Sequence, residues 1–95
     1  MKGRLLTKEI LEDFINHLHL EEKSVNTIEK YARDVKAFAA FMNGKAVYKE
    51  LVIEYKQNLI VDGYAVSSIN SMLAAVNSLF DYLGWVDCKV KAIKT

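Results

Sequence analysis

The sequence predicts an all-α fold, a compact bundle of four main helices, and three observations lead to this prediction. Apolar residues recur at helical spacing in four separate stretches. The 95-residue chain has no proline and only four glycines, which suits helices joined by short turns. No segment before residue 85 is rich in the alternation that strands show. Four short helices bury their apolar faces only against one another, so we expect an antiparallel bundle.

The first two helices have recognisable ends. Thr7 is suited to the N-cap of a first helix that ends near residue 20. After a turn, the second helix covers about residues 25–42 and stops at Asn43-Gly44, a pair suited to a left-handed C-cap. The apolar face of the first helix consists of Ile10, Leu11, Phe14, Ile15 and Leu18, and that of the second of Ile28, Tyr31, Ala32, Val35, Phe38, Ala39 and Met42.

The third and fourth helices each end at a glycine. The third covers about residues 48–62 before Gly63, and the fourth about residues 67–83 before Gly84. Their inward residues are Leu51, Val52, Tyr55 and Leu59 in the third, and Ile69, Met72, Leu73, Val76, Leu79, Phe80 and Leu83 in the fourth.

The tail after the fourth helix alternates Val86, Cys88, Val90 and Ala92 with polar residues. This alternation is typical of a short strand, but a linker leaving the domain suits the position and the positive charge better. We therefore expect a helical domain over residues 1–86 and the start of a linker over residues 87–95.

The composition favours a cytoplasmic domain with a real core. Hydrophobic residues make up 52% of the chain, and we expect Tyr31, Tyr55 and Tyr82 to belong to the core. A lone Cys88 excludes an internal disulfide, as suits a reducing compartment. No apolar run approaches the roughly 18 residues of a membrane span, and no signal-peptide pattern opens the chain.

The motifs of an enzyme are missing, so we expect this chain to hold no catalytic site, cofactor or metal. His17 and His19 lie two positions apart and point in different directions on a helix, so they do not share a metal ion. Gly44 and Gly63 stand alone and form no phosphate-binding loop. The serines have no histidine and acid near them in a recognisable arrangement.

The second helix carries a basic face opposite its apolar stripe. At 100° per residue, Lys30, Arg33 and Lys36 fall in one arc together with small alanines, so they can reach phosphates while the helix approaches a groove. The free N–H groups at the helix start form a second candidate phosphate site with the side chains of Ser24, Asn26 and Thr27.

The fourth helix has an outward arc of short polar residues that are suited to base edges or backbone, namely Asn70, Ser71, Ala74, Asn77, Ser78 and Asp81. Two alternatives remain open. Both polar faces are also typical of ordinary solvated helices. A protein-interaction bundle is the rival function, because Phe41, Ile53 and Ile60 lie off the apolar stripes and would be left outside the core.

Two runs of residues resemble the core-binding domain of tyrosine recombinases, also called phage integrases. The first consists of Lys23, Ser24, Val25, Asn26, Thr27, Tyr31, Asp34, Val35, Phe38 and Phe41. The second consists of Gly63-Tyr64, Ser67-Ser68-Ile69-Asn70, Leu73-Ala74-Ala75-Val76, Phe80, Tyr82 and Leu83. Each motif alone is a weak indication of the family, but the order and separation of the two motifs over residues 5–94 are more specific for it.

The resemblance implies a SAM-like helical domain that clamps one side of duplex DNA at a recombination site during DNA integration. Its second and fourth helices would face the major groove. We expect phosphate contacts from residues 24–27 with Lys30, Arg33 and Lys36. Groove contacts are expected from Ser68, Asn70, Ser71 and Asn77 on the fourth helix.

The expected partners are duplex DNA, the catalytic domain of the same recombinase, and other protomers on the DNA. The catalytic domain, absent here, would carry the Arg, Lys, His and Tyr set. It would follow a basic linker that begins with Lys89, Lys91 and Lys94, and we expect these three lysines to contact the DNA backbone. A helical regulator that blocks a recombinase is a third, less favoured reading.

The chain also departs from the family pattern. The family often has basic residues where this chain has Ser71, Met72 and Asn77, so we expect weak DNA binding from the isolated domain. A serine frequently stands where Ala65 precedes the fourth helix.

Overall fold

Four α-helices and one short 3-10 helix make up the computed structural model, which describes residues 3–94. They are α1 (Lys8–Leu20), α2 (Val25–Met42), α3 (Lys49–Val61), α4 (Val66–Leu83) and the 3-10 helix Val86–Cys88. The predicted all-α fold is confirmed, and the predicted helix ends agree to within a residue. Residues 1, 2 and 95, at the outer ends of the two predicted ranges, lie outside the described part.

The helix ends follow from local chemistry. The Thr7 side chain accepts a hydrogen bond from the Ile10 N–H at 3.1 Å, and Ser24 accepts one from the Thr27 N–H at 3.1 Å. Asn43 takes a left-handed conformation with φ of 50° and ends α2, as the Asn43-Gly44 pair predicts. By contrast, α4 begins after Ala65 without a side-chain cap.

The core lies where α2 and α4 pack together, with α1 and α3 on their flanks. One apolar cluster joins α2, α3, α4 and the tail. In it the ring centroids of Phe38 and Phe80 lie 5.7 Å apart, and those of Phe38 and Tyr55 lie 5.0 Å apart. A second cluster joins α1, α2 and α4 and contains Phe14 and Leu79. Burying these large side chains is the main stabilising contribution in a domain of this size.

Two aromatic residues at the edges of the apolar faces differ in burial from the predictions. Phe41 was expected to lie outside the core, but it is half-buried against Tyr55 with ring centroids 5.1 Å apart. Tyr82 was expected in the core, but it is 39% exposed and lies over Phe14 and His17. Both predictions were wrong, because single-helix angles do not show which neighbouring helix covers a boundary position. Tyr55 is buried as predicted.

The segment after α4 folds back onto the domain. We call residues 86–94 the strap. Cys88 and Val90 are buried in the same cluster as Phe38, while Lys91 faces solvent. Of the four alternating residues, only Cys88 and Val90 are buried, whereas Val86 and Ala92 are exposed, and residues 89–94 form no strand. The predicted linker would begin inside this packed segment; that a linker follows stays a prediction.

Candidate nucleic-acid interface

A cleft of about 490 Å³ opens between α2 and the first half of α4. The α2 wall is basic, with Lys30 and Arg33, whereas the α4 wall carries hydroxyl groups. We call it the α2–α4 cleft. Its lining consists of Lys30, Arg33, Asp34, Ala37, Tyr64, Ser67, Ser68, Ser71 and Met72. The structure thus brings together four predicted contact residues, Lys30, Arg33, Ser68 and Ser71.

Lys30 ties the two walls of the cleft together. Its Nζ pairs with the carboxylate of Asp34, one turn along α2, and donates to the backbone oxygen of Ser71 on α4 at 3.0 Å. Asp34 is only 5% exposed, so this carboxylate needs the ammonium group beside it. The charge of Lys30 is therefore balanced within the domain before any ligand arrives.

Arg33 differs from Lys30 in that its charge is free. The side chain is exposed on the rim of the cleft and forms no ion pair within residues 3–94. A guanidinium group of this kind offers several N–H donors to one phosphate. Of the two basic residues in the cleft, Arg33 is thus the one whose charge is available to a phosphate.

The α4 wall presents backbone donors as well as hydroxyl groups. Because Ala65 supplies no cap, the first N–H groups of α4 have no side-chain partner in the described chain. Ser67 and Ser68 stand in this first turn, and both line the cleft. The positive end of the helix dipole therefore points toward the same region as Arg33.

The start of α2 lies outside the cleft lining. Ser24 uses its hydroxyl group to cap the helix and lies 2.9 Å from the Thr27 Oγ1 atom, whereas Asn26 is exposed. This end keeps exposed polar groups for a phosphate, but the structure does not join it to the cleft.

Lys36 is separated from the other two basic residues of α2. It is exposed but lines a different groove of about 420 Å³ between α1 and α2, beside Leu11, Ile15 and Ala39. The single basic arc on the helical wheel is therefore divided between two grooves, because α4 packs on one side of the arc and α1 on the other.

Asn70 and Asn77 have partners that the sequence did not suggest. The amide of Asn77 donates to the Val90 oxygen at 2.8 Å and accepts from the Val90 N–H at 3.0 Å. Asn70 does the same with Ile93, at 3.0 and 2.7 Å. The expectation that the outward arc of α4 is freely exposed is therefore corrected: the strap covers this row, because its extended backbone lacks a neighbouring strand and needs hydrogen-bond partners. Groove contact by these two residues stays a prediction.

The lysines of the strap fall into two kinds. Lys89 pairs with Asp81 on α4 at 2.9 Å, whereas Lys91 and Lys94 are exposed and form no ion pair within residues 3–94. Lys56 on α3 donates to the backbone oxygen of Lys91 at 2.7 Å, so the strap is held from both helices.

Arg4 anchors the beginning of the strap. Its guanidinium group contacts both carboxylate oxygens of Asp87, at 2.7 and 2.9 Å, and lies 5.7 Å from the ring centre of Trp85. Hydrogen bonding to Arg4 lowers the pKa of Asp87, and the same bond raises the pKa of Arg4. Burial raises the pKa of the Cys88 thiol, and the hydrogen bond that it accepts from Arg4 offsets part of this rise.

Several residues that shape this region were missing from the predicted contacts: Asp34, Ser67 and Tyr64 in the cleft, and the acids Asp81 and Asp87, which pair with Lys89 and Arg4. One signal was present for Asp34, since it follows Lys30 by four positions and such pairs meet on a helix. No local signal pointed to Asp81 or Asp87, because their partners are distant in sequence or belong to the tail.

Two further features concern metal-binding groups and membrane-spanning helices among the described residues. Within residues 3–94, no three histidine, cysteine or acidic side chains lie close enough together to hold a metal ion. None of the helices in this part of the chain combines the length and apolar character needed to cross a membrane.

Comparison with known proteins bears on the whole domain. The profile of the family described as phage integrase, N-terminal SAM-like domain, matches residues 11–86. Tyrosine recombinase XerA of Pyrococcus horikoshii is 31% identical over 96 residues, which cover 99% of this chain and 33% of that protein. Tyrosine recombinase XerA of Pyrococcus furiosus is 31% identical over 84 residues, or 88% of this chain and 29% of that protein. The chain thus spans about a third of the length of these curated relatives. No solved structure matches it significantly.

Proposed function

The chain belongs to the phage integrase N-terminal SAM-like domain family, and from this premise we propose that it binds duplex DNA and positions a tyrosine recombinase on it. The relatives named tyrosine recombinase support the recombinase role of the family. The proposed part played by this domain is to hold the DNA, while a catalytic domain of the parent protein performs strand exchange, alone or with other protomers.

The α2–α4 cleft is the observation that supports this proposal. One wall carries the exposed guanidinium group of Arg33, and the other carries Ser67, Ser68 and Ser71 at an uncapped helix start. A guanidinium group and N–H donors facing one groove suit the phosphate backbone of a duplex, and small hydroxyl residues let that backbone approach closely. Phosphate contact is therefore the proposed binding mode, and base readout is secondary.

The charge distribution also determines how strongly we expect the domain to bind duplex DNA. Lys30, Arg4 and Lys89 are each paired with an acid inside the domain. Fewer unpaired cations mean fewer released counterions, and each neutralised phosphate contributes a salt slope of about 0.9. We therefore expect weak binding by the isolated domain that disappears at moderate salt.

A chemical-shift titration of the labelled domain with a generic duplex tests the proposal. At low salt, the amide shifts should cluster at residues 30–37 and 64–72, and they should fade as salt is added. Shifts centred on Ile53 and Ile60, or no shifts at low salt, would contradict DNA binding through the cleft.

The charge reversal Arg33→Glu sharpens this test. We expect it to weaken duplex binding by at least tenfold while the circular dichroism spectrum stays unchanged, because Arg33 is exposed and forms no ion pair within residues 3–94. Lys45→Glu is the matched control, since it makes the same charge change on an exposed lysine beyond the end of α2. Equal losses in both variants would mean that overall charge, and not the cleft, governs binding.

A protein-interaction domain remains the second candidate, because α3 exposes apolar side chains. Ile53 and Ile60 lie two helical turns apart on one side of α3 and are exposed as predicted, and Val61 beside Ile60 is 82% exposed. Sedimentation of the domain at several concentrations separates the two functions. A dimer that survives high salt and is lost in Ile60→Lys would favour protein interaction.

The remaining expectations concern the parent protein. We propose that it continues into a catalytic domain with the Arg, Lys, His and Tyr set, works in the cytoplasm, and that this domain alone cleaves no DNA. A relaxation assay on supercoiled DNA checks the last point, and nicking by the purified domain would contradict it.

A further inference from the structure

We propose that Asn70 and Asn77 are positioning residues whose side-chain amides latch the strap along α4 and so fix where the chain leaves the domain, beside the α2–α4 cleft. The part of this inference that concerns DNA rests on the proposed function. The latch itself is a property of the folded chain and can be tested without DNA.

The hydrogen bonding resembles that of a strand pair. Each asparagine side chain donates to the carbonyl group and accepts from the N–H group of one strap residue, Val90 for Asn77 and Ile93 for Asn70. An amide is the side chain that offers one donor and one acceptor side by side. The two asparagines therefore give the strap what a neighbouring strand would give, and no other residue type of that size does.

The spacing of the two latch points fits both partners. Asn70 and Asn77 are seven positions apart, which is two turns of α4 and about 10 Å along its axis. Val90 and Ile93 are three positions apart, which is also about 10 Å in an extended segment. The helix and the strap are thus matched in length, and both hydrogen-bonded pairs are present together.

The latch determines the direction of the strap. Lys89 meets Asp81, Val90 meets Asn77 and Ile93 meets Asn70, so the strap runs opposite to α4, from its last turns toward its first half. Asn70 directly precedes Ser71, which lines the cleft. Residue 94 and whatever follows it are therefore delivered to the half of α4 that forms the cleft.

The latch has most influence on the final residues of the strap. The beginning of the strap is held independently, by the Arg4 contact with Asp87 and by burial of Cys88 and Val90. Beyond Val90, the strap has two further contacts in the described chain: Ile93 is half-buried against the core, and the Lys91 oxygen accepts one exposed hydrogen bond from Lys56. Loss of the amides should therefore loosen residues 92–94 most, while the helices and the start of the strap stay folded.

The first experiment measures hydrogen exchange in the full chain, comparing wild type with Asn70→Ala/Asn77→Ala. We expect the amides of Val90 and Ile93 to exchange at least tenfold faster in the double variant, because their acceptors are gone. The core amides of α2 and α4 should keep their protection. Asn16→Ala, on an exposed asparagine of α1, is the matched control. Unchanged protection at Val90 and Ile93 would overturn the latch.

A nitroxide label at position 94, attached through Lys94→Cys, measures the exit point directly. The native Cys88 is fully buried and is not expected to react. The label should broaden the amide signals of residues 66–71 more strongly than those of residues 78–83. In the Asn70→Ala/Asn77→Ala background this difference should disappear. Equal broadening patterns in both backgrounds would show that the asparagines do not set the exit point.

Duplex titrations at several salt concentrations test the consequence for DNA. Freeing the strap should weaken binding several-fold and reduce the salt slope by about 1 to 2, because Lys91 and Lys94 are then no longer held along α4. An unlatched strap with unchanged affinity and slope would overturn the positioning role while leaving the proposed function intact. If wild type binds no duplex, the proposed function fails with the DNA role, whereas the exchange and label results still decide the latch.

Discussion

The helices α2 and α4 form a matched pair in sequence but present different surfaces. Each has 18 residues, an apolar stripe and a polar front, and the two pack against each other. The front of α2 keeps an unpaired Arg33, whereas one row of the front of α4 is covered by the strap. A polar helix face is therefore no binding face in itself, because distant parts of the chain decide whether it stays open.

The same contrast exists within α4. Asn70 and Ser71 are neighbours in sequence, but a step of 100° around the helix places Asn70 under the strap and Ser71 in the cleft. Asn70 uses one amide N–H group and its amide oxygen to bind Ile93, while the Ser71 side chain stays available to a ligand. One residue step thus separates a structural role from a candidate binding role.

The largest expected effect comes from the aromatic contact that both helices share. Phe38 of α2 and Phe80 of α4 are fully buried and meet edge to face. Phe38→Ala and Phe80→Ala should each lower the free energy of unfolding by about 3–5 kcal/mol, because each leaves a large cavity. Urea denaturation followed by circular dichroism measures this loss.

Phe41→Ala is the control for the aromatic contact, since Phe41 is only half-buried. It should lower the free energy of unfolding clearly less than Phe38→Ala does. If Phe80→Ala proved much milder than Phe38→Ala, the two helices would not contribute equally to the core, and α4 would be the more adaptable partner.

The next effect concerns the ion pair that joins α2 to α4. Asp34→Asn removes a buried carboxylate and leaves Lys30, whose side chain is 31% exposed, without its partner. We expect a loss of about 1–3 kcal/mol in thermal or urea unfolding, and tighter duplex binding because the Lys30 charge is no longer balanced.

Glu29→Gln makes the same charge change on an exposed neighbour of Lys30. It should alter stability by less than about 0.5 kcal/mol. A similar loss in both variants would indicate that the net charge of α2, and not the buried pair, stabilises the contact with α4.

The four helices could be predicted from sequence because their determinants are local. Thr7 and Ser24 cap helices, and Asn43 takes the left-handed conformation that ends α2. Periodicity placed Phe38, Leu73 and Phe80 in the core correctly. Each of these features depends on residues within a few positions of one another.

The candidate site was only partly predictable because its geometry depends on contacts between distant segments. Arg33 and Ser68 were predicted and do share the cleft. The pairing of Asn77 with Val90 and of Arg4 with Asp87 joins segments that no local pattern connects. Whether Lys36 lies in the same groove as Arg33 depends on how α1 and α4 pack on either side of α2. The spacing of residues along a single helix gives no information about this packing.

A smaller effect separates α2 and α4 at their first turns. Ser24 caps α2, but Ala65 at the same place before α4 has no capping side chain, although its φ of −63° and ψ of 147° suit a cap. Ser24→Ala should cost about 1 kcal/mol, and Ala65→Ser should add stability of up to about 1 kcal/mol. Melting temperatures of the two variants check both signs.

The cap variants also bear on DNA. A serine at position 65 would occupy an N–H group of α4 that faces the cleft region, so Ala65→Ser should weaken duplex binding slightly while it stabilises the fold. Tighter binding in Ala65→Ser would indicate that the added hydroxyl group itself contacts the phosphate and that the uncapped helix start does not act as a donor.

The smallest expected effect concerns Tyr55, which packs on Phe38 of α2 in the cluster that α4 completes. It is only 3% exposed, and its hydroxyl oxygen has no hydrogen-bond partner within residues 3–94. Burial, with a smaller contribution from the charge of Asp34, raises the pKa of Tyr55 to about 12. Tyr55→Phe should therefore leave stability unchanged or raise it by up to about 1 kcal/mol at neutral pH, since it removes an unpaired polar group.

The pH dependence of Tyr55→Phe follows from the direction of that shift. The pKa of Tyr55 in the folded state lies above the ordinary value of 10.0. The contribution of the protonated Tyr55 hydroxyl to wild-type stability is therefore fully present below pH 10 and is lost as pH rises toward about 12. The stability advantage of Tyr55→Phe over wild type should therefore grow between pH 10 and 12 in urea titrations. Tyr82→Phe, on an exposed tyrosine, should change stability by less than about 0.5 kcal/mol at neutral pH. A constant difference across the alkaline range would mean that the Tyr55 hydroxyl reaches water or a partner, and that the α2–α4 core is less closed at this point than at Phe38.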